Sequence, residues 1–109
     1  MIHCIFIKYL GGNFAGIQIE GHSPSSLGSK GENLLCAGVS TLVQTVHLYL
    51  ASKQVLQTES KRDGSLKFLI QSGKEDRFQD LLEMIELGLE NLKKQHPTAI
   101  SLKTEIIKG

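Results

Sequence analysis

The chain has 109 residues, of which 40% are hydrophobic and 21% charged. That balance fits one small globular domain over residues 1–109 and excludes a disordered or low-complexity chain. Twelve Lys and Arg against eleven Asp and Glu leave a formal charge of +1, and there is no Trp. Both facts argue against direct nucleic-acid binding by charge or by base stacking.

Ile2 to Leu10 is rich in β-branched and aromatic residues, as strands are. Without a basic leader segment or a small-residue cleavage site, it reads as a strand and not as a signal peptide. Gly11-Gly12-Asn13 is a turn. Phe14 to Glu20 follows as a second strand, with Ala15, Ile17 and Ile19 on one face. The two strands should form a hairpin.

Gly21 to Asn33 has a loop composition, with three Gly, one Pro and four Ser. Loops of this length in compact domains are usually functional or mobile, so residues 23–32 are expected to be the most mobile part of the chain. A helix is expected from Leu34 to about Ser52, with Asn33 as its N-cap. Leu35, Val39, Leu42, Val43, Val46 and Leu50 recur at helical spacing. The helix carries no Asp, Glu, Lys or Arg, which predicts burial on most sides. One small sheet covers only one side, so a second helix or a second subunit should cover the other. The same segment comes nearest to a membrane span, but Ser, Thr, Gln and His interrupt it, and no membrane association is expected.

Val55 to Ser60 and Ser65 to Gln71 flank Arg62-Asp63-Gly64, a strong hairpin signal. Glu75 to Gln95 is a second amphipathic helix with Phe78, Leu81, Leu82, Ile85, Leu89 and Leu92 on one face. Pro97 stops it, and Thr98 to Lys108 reads as a last strand. The order β-β-α-β-β-α-β predicts an α+β fold, a largely antiparallel sheet packed with two helices.

Two cysteines make no disulfide framework, so a reducing, cytoplasmic compartment is expected. Cys36 falls in the first turn of the expected helix. Helix-terminal amides and the macrodipole favour a thiolate there and could receive an oxyanion. His22 opens the glycine-rich loop, 36 − 22 = 14 residues earlier, a distance a loop can close. A base at His22 beside a nucleophile at Cys36 is the chemistry this pattern offers. The bland alternative is a small buried cysteine. Cys4 reads as a core or edge residue, His47 as a packed or interface histidine, and His96 as an exposed residue at a helix end. The His and Cys spacings match no zinc pattern, so neither metal nor cofactor is expected.

The segment Gly21-His22-Ser23 followed by Gly31-Glu32-Asn33-Leu34-Leu35-Cys36-Ala37-Gly38-Val39-Ser40 resembles the ribosomal-processing cysteine protease family. The length and the order of elements are similar to that family as well. Ser23 stands where the family has Ala, Asn33 where it has Asp, and the loop is slightly longer. The resemblance implies His22 and Cys36 as the catalytic dyad, with Gly21, Gly31 and Ser40 at the substrate. It also implies a homodimer that trims the N-terminal extension of a precursor of large-subunit ribosomal protein number twenty-seven. A non-catalytic ribosome-assembly factor binding the same protein is the alternative, and a plain dimeric scaffold a third.

Overall fold

The computed structural model describes residues 1–21, 30–62 and 64–108, and only the backbone of residues 30–33. The expected mobile segment 23–32 therefore lies mostly outside the described residues.

The elements follow the expected order. β1 spans Ile2–Tyr9, β2 Phe14–Glu20, α1 Lys30–Ser52, β3 Leu56–Arg62, β4 Ser65–Ile70, α2 Gln79–Gln95 and β5 Ile100–Ile107. A short 3-10 turn, Glu75–Phe78, leads into α2. The strands lie in the order β3-β4-β2-β1-β5. Two sequence-local hairpins, β1–β2 and β3–β4, are joined by an antiparallel β2–β4 ladder. β5 pairs with β1 in parallel, so the sheet is α+β in character and largely antiparallel.

Strand alternation sorts the side chains. Ile2, Cys4 and Phe6 of β1, Ile17 of β2, Leu66, Phe68 and Ile70 of β4 and Ile100 of β5 share one face and one core cluster. Leu35, Val39, Val43, Val46 and Leu50 of α1 complete it from above, with Leu82, Ile85 and Leu89 of α2. Both helices thus cover the same face. They approach through a glycine on each: Gly38 faces Leu92 and Gly88 faces Leu42. Gln79 ties α2 to the sheet. Its amide oxygen accepts from the Phe14 N–H at 2.7 Å, and its amide nitrogen donates to the Phe14 carbonyl at 3.0 Å.

Two expectations about α1 are corrected. The helix begins at Lys30, so Asn33 is its fourth residue and not its N-cap. Lys and Glu are good helix formers, and extending an existing helix by one turn needs no new nucleus. Nor is α1 buried on most sides. Leu34 is 72% exposed, Leu48 66% and Tyr49 46%, because one sheet and one neighbouring helix leave its far side uncovered. The 19-residue segment Leu34–Ser52 is long and apolar enough to cross a membrane by length and composition, its Ser, Thr, Gln and His notwithstanding. Here its apolar stripe is part of the protein core.

Candidate active site

β2 ends at Glu20, and the local geometry at the next residue, Gly21, requires glycine. Its φ is +85°, and a Cβ would stand 2.5 Å from the Met1 carbonyl oxygen. The Gly21 N–H donates to the Gly64 carbonyl at 2.9 Å. The point at which the chain leaves the sheet is thereby fixed to the tip of the β3–β4 hairpin. His22 comes next, but it and the chain to residue 29 lie outside the described residues. The structure therefore places one member of the expected dyad.

Cys36 is half-buried and packs against the core cluster from α1. It is the seventh residue of that helix and not, as its expected first-turn position required, at the terminus. The partial charge of a helix end falls off within one turn, and the Cys36 N–H is committed to the helical ladder. Gly31 contributes to the first turn of α1. Cys4, in contrast, is wholly buried on β1, and burial pushes its thiol up to about 12. A thiol so desolvated is no nucleophile near neutral pH.

Ser40 follows Cys36 by one helical turn. It opens onto a cleft of about 510 Å³ to which three elements contribute. The end of β2 supplies Ile19 and Gly21; α1 supplies Ser40, Val43 and Gln44; the β3–β4 hairpin supplies Lys61, Arg62, Gly64, Ser65 and Leu66. Ile19, Val43 and Leu66 offer it apolar surface. Two residues proposed for substrate, Gly21 and Ser40, are thus brought to one cavity. The sequence reading missed Lys61, Arg62 and Gln44. The only signal for them was the Asp63-Gly64 turn, which places Lys61 and Arg62 beside a hairpin tip without saying what that tip adjoins.

Two other histidines sit in helix packing and capping positions. His47 is buried in α1, with Nε2 2.5 Å from Glu59 Oε2 and its ring 5.4 Å from that of Phe68. His96 is half-buried, not fully exposed, and its N–H donates to the Leu92 carbonyl to close α2. Among the described residues no group of three or more His, Cys, Asp or Glu comes together that could hold a metal ion.

The family model of the cysteine protease Prp matches residues 1–101. Among solved structures, the ribosomal processing protease Prp of S. aureus in complex with a substrate peptide superposes with a TM-score of 0.80 at 17% identity. That match covers 96% of this chain and 100% of the other. The same protease with a covalently linked product peptide gives 0.78 at 18% identity, with the same coverage. The Streptococcus mutans protein SMU.848 gives 0.74 at 25% identity, over 98% of this chain and 96% of the other. No curated protein matches the chain in sequence.

Proposed function

The chain belongs to the family of the cysteine protease Prp, and on that premise we propose that it is a cytoplasmic cysteine endopeptidase using Cys36 and His22. The observation that carries the reading is the extent of the family match, which spans both residues. Cys36 also stands one turn from a cleft large enough for peptide side chains.

In the proposed reaction, His22 takes the thiol proton as the Cys36 sulfur attacks the scissile carbonyl carbon. A tetrahedral oxyanion forms and collapses to a thioester as the C–N bond breaks. The leaving nitrogen receives its proton from His22. Water then attacks the thioester with His22 again as base, releasing the carboxylate product and restoring the thiol. No step needs a metal or a cofactor.

The proposed substrate is the N-terminal extension of a ribosomal-protein precursor, that of large-subunit protein number twenty-seven. The S. aureus relative is described as a ribosomal processing protease bound to a substrate peptide, which supports this class. Incubating the full chain with that precursor from the same organism should shorten the precursor by one N-terminal fragment in mass. The Cys36→Ala variant should leave it whole. Intact precursor with both proteins, together with Cys36 alkylated no faster than Cys4, favours the non-catalytic binding factor instead.

A homodimer completes the proposal. The uncharged far side of α1 exposes Leu34, Leu48 and Tyr49, and α2 adds Met84 and Leu87 beside it. An apolar groove of about 310 Å³ runs between the two helices, lined by Leu42, Tyr49 and Met84 among others. Sedimentation as a monomer at tens of micromolar counts against a dimer through this face.

A further inference from the structure

We propose that His47 and Glu59 form a clasp that holds the β3–β4 hairpin against α1 and so sets the width of the cleft beside Cys36. His47 is then a positioning residue for the peptide. The kinetic part of this deepens the protease reading and rests on it.

The two long walls of the cleft belong to different layers of the fold. Ser40, Val43 and Gln44 of α1 form one, and Lys61, Arg62, Ser65 and Leu66 of the hairpin form the other. The hairpin moves with the sheet, because β4 pairs with β2 and the Gly21 N–H is bonded to the Gly64 carbonyl at the tip. Its distance from α1 has to be fixed by other contacts. β3 brings little apolar surface to that task. It is an edge strand, half-buried at Leu56 and exposed from Gln57 to Arg62.

His47 supplies a link from α1. Its side chain is 11% exposed, and a polar ring so placed needs a partner. Nε2 meets the Glu59 carboxylate of β3 at 2.5 Å, while the ring packs 5.4 Å from that of Phe68 on β4. A carboxylate only accepts, so Nε2 carries the proton. Glu59 and Phe68 oppose each other across the ladder. One imidazole therefore grips both strands of the hairpin at a single rung. The cleft begins just beyond that rung on both walls. Val43 is four residues back along α1, and Lys61 is two residues on along β3. Those steps are about 6 Å on the helix and about 7 Å on the strand. The clasp thus stands at the base of the cleft, where a small change in spacing grows toward the tip. The Glu59 side chain is 55% exposed, so the contact can be removed without opening the core.

The test is a cycle of variants of the full chain. The first readout is cleavage of a synthetic peptide of the precursor's N-terminal extension. Glu59→Ala and His47→Phe each remove the polar contact, and Phe keeps a ring against Phe68. Each should raise KM about fivefold with kcat nearly unchanged, the scale of one hydrogen bond to a charged group half in water. The double variant should be no worse than either single one, since both remove the same contact. His47→Gln, which retains an N–H toward Glu59, should recover most of the loss. A pair that only stabilises the fold lowers the melting temperature and leaves KM where it was. That outcome, or additive losses in the double variant, overturns the clasp and leaves the protease standing. If His47→Phe fails to fold, Glu59→Ala against Glu59→Gln decides, with Gln holding KM near the natural value. The second readout needs no cleavage. Amide hydrogen exchange at residues 61–66 should quicken severalfold in Glu59→Ala while that of α2 stays unchanged. Unchanged exchange at residues 61–66 overturns the clasp. If no peptide is cut by any variant or by the natural chain, the protease reading falls, and exchange alone decides whether the hairpin is clasped.

Discussion

The two cysteines sit in opposite physical settings, although they are chemically identical and both touch the same core. Cys4 is in β1, a strand with a partner on each side, roofed by the helices and wholly buried. Cys36 is on α1, half-buried and one turn from an open cleft. The first environment raises the cost of a thiolate, and the second is open to solvent. Reactivity here follows from where each thiol lies relative to the sheet, and residue type alone says little about it.

The strongest way to break the contrast is to exchange the losses. Cys36→Ala should reduce peptide cleavage at least about a thousandfold, as for other nucleophiles whose removal leaves only binding. Cys4→Ala should leave cleavage nearly intact and cost about 1 kcal/mol of stability through a small cavity. Comparable activity losses in the two variants, each with an unchanged melting temperature, would refute the assignment. His22→Ala should slow acylation at least about a hundredfold, measured in single turnover.

Alkylation sharpens the contrast without mutation. Near pH 8 iodoacetamide should label Cys36 at least about a hundredfold faster than Cys4, given how little thiolate a thiol at about 12 holds there. Equal rates would show that the strand opens freely.

The Cys4 thiol also predicts an alkaline limit. Burial pushes it up to about 12 from the ordinary 9.0 of a free thiol. Above pH 9 the unfolded chain loses this proton while the folded chain keeps it. The stability from this group is therefore fully present below pH 9 and is lost as pH rises toward 12. Denaturant midpoints between pH 9 and 11 should fall for the natural chain and fall less for Cys4→Ala.

Gly21→Ala should cost about 1–3 kcal/mol, the scale of a forced left-handed residue, with a backbone clash in addition. The melting temperature reads the cost, and an unchanged value would mean that the strand exit relaxes without penalty. The smallest effect is expected from Asn33→Asp. A carboxylate in the first turn of α1 should add about 0.3–1 kcal/mol. Any rise in kcat beyond that stabilisation would mean that the acid also orients His22.

What could be read in advance divides along the same line. The hairpins were legible because alternation and the Gly11-Gly12 and Asp63-Gly64 turns are local signals. The core stripe of α1 was legible from its spacing, since Leu35, Val39, Val43, Val46 and Leu50 are all buried. The start of α1 was not, because Lys30, Gly31 and Glu32 follow a run of Gly and Ser that outweighs their own propensities. The cleft was hidden for a different reason. Lys61 and Arg62 meet Ser40 only because β2 pairs with β4, a long-range choice that no local pattern announces. Cys36 and His22 stood out through their motif, whereas helix geometry placed the thiol later in the helix than the motif suggested.

The bond from Gly21 to Gly64 also orders events in time. It joins parts of the chain 43 positions apart, and the cleft lacks a wall until residues 61–66 have been made and β4 has zipped onto β2. A chain emerging from the ribosome carries both His22 and Cys36 well before that. On the proposed assignment it would hold both reacting groups before the cleft has its walls. On that assignment, competence to cut would arrive only with the second hairpin.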